Sequence, residues 1–580
     1  MVRAVLVAPR HPQVPNRLDA YCNLLNRKLT GDNIEPRAPT LVRRDGVAVG
    51  LLNPNGAVRM QGASIAMGML LDADHDWHVP RAGVPDGSFA LLRVDQAYIE
   101  LVADSVASRT LWYALTDDEF IVSSSQRAIV TLLGSYEPNR EVLPWMLSSG
   151  TLGPTGGWDV RLKRVQPGER VLLDRARWRS QSTFEPLEFV ADRQLSHAAH
   201  LEHLSAAVGD ACRRWSFDAR RWVLTLSGGA DSRSLLCALR DRGIGTVTWG
   251  LPNTGEQDSN DAQIAREVAR SLDVPHRFFA LEPRGDTPDV ILERFLAVGE
   301  GRVDRLSGYI DGFRVWQTLF DDGYHGVIRG DQAFTKVVVQ SEYAARFVTS
   351  LATLADYFSA KELAALELPE QALPARLTRA PGETLATWRD RLYQQSRVPT
   401  FLAALTDLKT AYLEVGSPLL ARSVLECVRA VPDELRAEKR LWLELVGQQL
   451  PEIALAKRVA ISSVADFLRD RRVLELLLDE LSSERTATLF TPPLLKRCRT
   501  ALHAAFRVTG TAHRRDWRQS AIGRAVPARL RAAARNWRAN RPSIEPQILA
   551  FRAFIAARMQ AQLGIDAATR PVRLEPAVNA

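Results

Sequence analysis

The stretch Leu224-Thr-Leu-Ser-Gly-Gly-Ala-Asp-Ser-Arg233 constrains the fold of this chain more than any other. An apolar run at 222–226 ends in a Ser-Gly-Gly turn, and a helical pattern opens behind it over 232–242. A second apolar run follows at 246–249 and a second helical pattern at 261–272. Strand–helix–strand–helix alternation at this spacing predicts a parallel sheet covered by helices. Within it, Gly228 and Gly229 let the backbone approach a ligand closely, and the first N–H groups of the helix lack partners inside it. Such a turn is an anion site suited to a pyrophosphate. Asp231 would be repelled by phosphate unless a cation lay between them, so its natural role is as a Mg²⁺ ligand. Ser227 and Ser232 add hydroxyl donors. No GxxxxGK[ST] is present, which excludes a Walker loop.

Residues 1–190 have a different period. Short alternating runs at 88–94, 98–103 and 119–123 are separated by turn residues, among them Asn55-Gly56 and Asp86-Gly87. Pro167-Gly168 lies between runs at 162–165 and 170–173 and predicts a hairpin. The run at 4–8 is too short for the core of a secretory signal and predicts a first strand. The pattern turns helical at 198–211, and beyond about 340 it is helical almost throughout, with no strong strand. The expected units are therefore 1–190, β-rich; 200–460, a parallel-sheet domain; and 461–580, a helical basic extension.

Bulk properties remove several classes. With 580 residues the chain has room for more than one core. No stretch approaches the ~20 apolar residues needed to cross a bilayer, so no membrane partner is expected. Cys22, Cys212, Cys237, Cys427 and Cys498 form no CxxC or Cys/His cluster, which argues for a reducing compartment, the cytoplasm, and against structural zinc. The formal charge of +8 looks like a sign of nucleic-acid binding until it is localised. Nine arginines and one acid, Asp516, lie between 514 and 541, so this segment carries the whole excess and the rest of the chain is neutral. That is not the footprint of a nucleic-acid enzyme. Arg524, Arg531, Arg535 and Arg538 recur at helical spacing, as a solvated face or as an attractor for an acidic partner.

The glycine turn resembles the SGGxDS loop of the N-type ATP pyrophosphatases, the PP-loop, and the surrounding pattern resembles the asparagine synthetase family. Thr246-Val-Thr-Trp-Gly250 followed by 261–268 is similar to the family's second strand and helix. Arg329-Gly-Asp331 is similar to its second loop. Leu413-Glu-Val-Gly-Ser-Pro-Leu-Leu420 resembles the segment E-x-R-x-P-F-L-D, with Glu414 on the glutamate and Pro418 on the proline; the family arginine is Gly416 here and its aspartate is Ala421. Lys457, in Ala456-Lys457-Arg458, falls where the family places a charge-neutralising lysine. The resemblance implies that Leu226, Ser227, Gly228, Gly229, Asp231, Ser232, Trp249 and Gly330 contact ATP. It also implies that Asp231 and Asp331 hold Mg²⁺, and that Glu414 and Lys457 are catalytic.

Asp86-Gly87-Ser-Phe-Ala-Leu, the run from Asp104 to Arg109, Leu111-Trp-Tyr113, Ser123-Ser-Ser and Lys163-Arg-Val-Gln-Pro-Gly168 resemble the class II glutamine amidotransferase domain, an Ntn-hydrolase-like fold. In that family an N-terminal cysteine attacks glutamine. Here Val2 follows Met1 and the nearest cysteine is Cys22, so the resemblance implies a scaffold that does not hydrolyse glutamine. Together these likenesses imply an AMP-forming ligase that adenylates a carboxylate and couples it to an amine. β-Lactam synthetases and lasso peptide cyclases share the missing cysteine. The former carry a tyrosine where Ile328 stands, so a peptide macrolactam is the leading expectation, with a peptidase or leader-binding protein as the kind of partner. An ammonia-using synthetase and a non-catalytic nucleotide-binding protein are the alternatives.

Overall fold

The computed structural model describes residues 3–11, 16–71, 76–252, 254, 259–283, 285–331, 334–450, 452–509 and 542–571. Side-chain parity explains its first half. Every residue of the strand Arg3–Pro9 is buried; Ala4, Leu6 and Ala8 join one apolar cluster, and Val5 and Val7 join another. A strand covered on both faces needs apolar residues at both parities, which is what its sequence supplies. It is central in an antiparallel sheet ordered Lys163–Arg164, Trp112–Leu115, Glu119–Ser123, Arg3–Pro9, Val47–Leu52, Thr40–Arg44. A second antiparallel sheet runs Arg179–Phe184, Glu169–Asp174, Tyr98–Ala103, Gly87–Val94, Ser64–Leu70, Arg59–Gln61. The two face each other through Leu6, Val49, Met67, Leu92 and Leu101. Helices Leu18–Leu29, Gln126–Leu133 and Val142–Ser149 cover the outer face of the first sheet.

Pro167-Gly168 does not close a hairpin. Lys163–Arg164 pairs with Trp112–Leu115 in the first sheet, whereas Glu169–Asp174 pairs with Tyr98–Ala103 and Arg179–Phe184 in the second. The turn carries the chain from one sheet to the other. Gly168 has φ +63° and donates its N–H to Asp104 O, while the buried Arg164 guanidinium bonds Pro154 O and Pro399 O and so holds its own strand in the first sheet.

A third sheet is wholly parallel, in the order His276–Ala280, Gly245–Gly250, Trp222–Thr225, Gly326–Ile328, Glu414–Gly416. Helices Ala230–Leu239 and Asp261–Ser271 follow its strands as the sequence pattern requires. The last strand escaped that pattern: it is three buried residues between a helix and a proline turn, too short to show a period. In a parallel sheet all strand ends of one kind fall on one edge, so the loops after Thr225, Gly250, Ile328 and Gly416 meet there, the usual place for a ligand in such sheets.

The C-terminal region is helical. Pro546–Ala568 buries Phe551, Ile555 and Met559 in the same apolar cluster as Val5 and Trp112. Near its end Asp566 pairs with Arg127 at 2.7 Å and Lys28 at 3.0 Å, which ties it to the N-terminal helices. Among the described residues no helix is long and apolar enough to cross a membrane. Met1, Val2 and the arginine-rich segment 514–541 lie outside the described residues.

Candidate functional site

The glycine turn is shaped by its own serines. Leu226 continues the ladder, its N–H on Val247 O at 2.8 Å. Ser227 then turns the chain: its N–H donates to Ser232 Oγ at 3.0 Å, and its own hydroxyl accepts from Gly229 N–H at 3.2 Å. A Cβ on Gly228 would lie 2.4 Å from Ala456 Cβ, so only glycine lets the segment around Lys457 lie this close to the turn. Gly228 N–H and Ala460 N–H both bond the Asp261 carboxylate, whose pKa burial raises in spite of them.

A second glycine locks two loops together. A Cβ on Gly330 would stand 2.6 Å from Ser232 N and 2.8 Å from Asp231 C. The turn after Gly326–Ile328 therefore lies directly against the start of helix Ala230–Leu239, and Asp231 and Asp331 share one edge of the sheet. Asp331 is buried, accepts from Ser417 Oγ at 2.9 Å and pairs with Arg329 at 3.0 Å. Asp231 pairs with Lys439, whose Nζ is 2.8 and 2.9 Å from its two oxygens. Lys439 reaches it from a left-handed backbone position, φ +62°, next to Glu438 at +55°. The buried phenol of Tyr393 sits near both carboxylates: burial raises its pKa most, the Arg397 cation opposes, and Asp331 and Asp231 each add to the rise. Among the described residues no three His, Cys, Asp or Glu side chains are grouped to hold a metal.

Lys457 is placed by backbone. Arg233, inside the first helix, bonds Ala454 O at 3.0 Å; Ala456 N–H donates to Gly228 O at 2.9 Å and Lys457 N–H to Ser259 O at 2.9 Å. The Lys457 side chain itself is exposed at the rim. Trp249 is half-buried and meets Trp316 edge-on at 5.2 Å.

Glu414 lies elsewhere. It begins the last parallel strand, two residues before the edge that carries the loops, and is buried with its carboxylate 3.1 Å from Arg109 Nε. Arg109 comes from the turn after Tyr98–Ala103 in the second antiparallel sheet and also reaches Asp407, which Arg302 binds as well. This buried cluster fills the junction between the antiparallel and parallel sheets. The cavity beside it, lined by Arg109, Asp331, Ser417 and Leu402, has a volume of about 10 Å³. The structure thus groups Leu226, Ser227, Gly228, Gly229, Asp231, Ser232, Gly330, Asp331 and Lys457 at one edge and sets Glu414 behind Arg109. Lys439 and Tyr393 were not singled out from sequence. Lys439 is 208 residues from its partner with no motif around it, and Tyr393 reads as an ordinary core aromatic.

Residues 203–305, from the helix before the glycine turn to beyond the third parallel strand, match the asparagine synthase family. No curated protein matches the chain. Among solved structures, a glutamine phosphoribosylpyrophosphate amidotransferase from B. subtilis complexed with ADP and GMP is 12% identical, covering 62% of this chain and 88% of its own, with a TM-score of 0.21. A structure described as the allosteric regulatory enzyme of purine biosynthesis is also 12% identical, covering 62% and 87%, with the same TM-score of 0.21. At that score neither supports an inference about this chain.

Proposed function

We propose that this chain is an ATP-dependent ligase that adenylates a carboxylate, releasing pyrophosphate, and joins the acyl group to an amine with release of AMP. In this reading residues 200–460 form a PP-loop domain of asparagine synthetase type. Residues 1–190 are an Ntn-hydrolase-like scaffold, and 461–580 are an extension whose helix Pro546–Ala568 packs against helices of both. The observation that carries the reading is the contact of the two glycine loops, which sets Asp231 and Asp331 on one sheet edge beside backbone N–H groups and the Lys457 rim. Asp231 and Asp331 suit Mg²⁺, a hard cation that takes one or two carboxylates and fills its remaining positions with phosphates and water. When bound, Mg²⁺ offsets the charge on the pyrophosphate.

The chain's own residues do the rest. The first N–H groups of helix Ala230–Leu239 bind phosphate oxygens, while the turn's own N–H groups at Ser227, Gly228 and Gly229 are bonded to Ser232, Asp261 and Ser227 and hold its shape. Lys439 anchors the Asp231 carboxylate from the buried side. Lys457, exposed and tied by backbone to the turn, neutralises charge that develops at the acyl phosphate. Glu414 holds Arg109 and acts as a positioning residue.

The filled junction favours an amine carried by the substrate over ammonia delivered from the N-terminal region. A cavity of about 10 Å³ barely holds one water, and charged side chains block the path on either side. Macrolactam closure within a peptide, as in lasso peptide cyclases, fits this reading, with a peptidase or leader-binding protein as partner and the cytoplasm as compartment. The test is product chromatography after incubation with ATP, Mg²⁺ and peptides bearing Asp or Glu. AMP and pyrophosphate are expected, and ADP with phosphate overturns the reading. Asp231→Asn should abolish turnover while leaving the circular dichroism spectrum unchanged.

A further inference from the structure

The segment Tyr393–Leu402 is a ten-residue π-helix with Pro399 inside it. Such wide turns are rare and cluster at functional sites. Here the helix separates two spaces. Val398 and Leu402 line the tight cavity that holds Asp331 and Ser417. Arg397 and Phe401 line a larger pocket of about 410 Å³, which Val337, Phe347, Val348, Arg305 and Tyr357 help to close. The wall is thus shared, and Tyr393 at its start senses both Asp231 and Asp331.

The charge in this pocket is unbalanced in a specific way. Two acids, Asp304 and Glu545, and three arginines, Arg305, Arg397 and Arg552, line it; Asp304 is bound by Arg552 at 2.7 Å, so Arg305, 3.8 Å from it, has only a loose partner there. Arg397 has no carboxylate partner among the described residues. It donates to Ser350 Oγ at 3.1 Å and stacks over Phe401 at 4.3 Å and Tyr393 at 6.0 Å. Burial lowers its pKa most, Tyr393, with which it shares a hydrogen bond, opposes that, and the Arg305 cation lowers it further. A guanidinium that is mostly buried, near two aromatic rings and in the field of a second arginine, gains much from an incoming carboxylate. Beside it Val337 is 47% exposed and Phe347 56% exposed, apolar surface that a ligand would cover.

We infer that this pocket is the recognition site for the acyl substrate: it takes a short peptide segment in which an apolar side chain adjoins a carboxylate, the apolar group against Val337 and Phe347 and the carboxylate on Arg397 and Arg305. The inference rests on the ligase reading and adds its substrate class. Two carboxylate sources share this chemistry, an acidic side chain and a C-terminal carboxylate. Binding is therefore measured by calorimetry, without nucleotide, for three probes: N-acetyl-Phe-Asp-amide, N-acetyl-Phe-Asn with a free C-terminus, and neutral N-acetyl-Phe-Asn-amide.

At least one acidic probe should bind about tenfold or more tightly than the neutral one, as expected when a charged partner completes a buried hydrogen bond. Which acidic probe it is identifies the source. Arg397→Met should remove the preference. Arg305→Gln, at an exposed residue that cannot compromise folding, should reduce it several-fold, and Phe347→Ala should weaken all three probes alike. Equal binding of acidic and neutral probes, or a preference that survives both arginine variants, overturns the inference. AMP release measured in parallel separates the two readings: if it is intact while the probes fail to discriminate, only the pocket assignment falls.

Discussion

In the antiparallel sheets and around them, charge is buried and paired. Arg93 meets Glu100 at 3.1 Å, Arg127 meets Asp566 at 2.7 Å, and Arg3 is bound to Glu300, all with side chains almost wholly enclosed. At the loop edge of the parallel sheet the pattern is mixed: Asp231–Lys439 and Asp331–Arg329 are largely enclosed pairs, while Lys457 is exposed. The two regions meet at Arg109 and Glu414, a pair of the first kind placed one cavity away from Asp331, which belongs to the second. Buried pairs are costly to break, whereas exposed charges contribute little to stability. The contrast teaches that the antiparallel half encloses its charge in pairs that hold elements together, whereas the loop edge adds an exposed cation, Lys457, to its enclosed pairs.

The largest effect expected from this contrast is on stability. Arg109→Met leaves Glu414 and part of Asp407 buried without their cation, and should lower the unfolding free energy by about 3–5 kcal/mol in urea titrations. The double variant Arg109→Met/Glu414→Gln should recover part of that loss, because it removes the stranded charge. Arg43→Met, which breaks an exposed pair with Asp19, should change stability by no more than about 0.5 kcal/mol. Equal losses for Arg109 and Arg43 would erase the distinction between enclosed and exposed pairs.

Lys457 should behave in the opposite sense. Its side chain is exposed, so Lys457→Ala should leave the urea midpoint unchanged. Removing a cation that stabilises transition-state charge should still cost kcat about 100-fold, close to 3 kcal/mol. Single-turnover measurement of AMP release checks this, and a variant with wild-type kcat would assign Lys457 to the solvated surface.

The parts of this contrast that were legible in the sequence are those with a period or a motif. Alternation marked Tyr98–Ala103 and Glu119–Ser123 at their observed limits, and the Ser-Gly-Gly turn marked the passage from strand Trp222–Thr225 to helix Ala230–Leu239. The sheet crossing at Pro167-Gly168 was not legible, because a proline–glycine turn joins strands of one sheet or of two with the same local chemistry. Arg109 and Glu414 carry no joint signal: they lie 305 residues apart, and a buried ion pair between distant segments has no periodicity. Lys439 and Arg397 were hidden for the same reason. Their placements come from left-handed backbone and from a π-helix, neither of which the residue pattern announces.

The smallest expected effect is a null one, and it tests whether the antiparallel region is silent. Glutamine hydrolysis of the amidotransferase type needs a thiolate. In residues 3–190 the only cysteine is Cys22, which is buried in the helix Leu18–Leu29 against the first sheet, and burial pushes its thiol up to about 11, with Asp19 adding to the rise. A thiol with that pKa is almost wholly protonated at pH 7, and the enclosing core bars a substrate from reaching it. Labelled glutamine should therefore yield no glutamate above background at pH 7 or pH 9, and its addition should leave AMP release unchanged. A thiol reagent should label Cys22 only after unfolding. Glutamate release that follows the Cys22 labelling rate would show that the region opens and reacts, and the division of labour between the sheets would have to be abandoned.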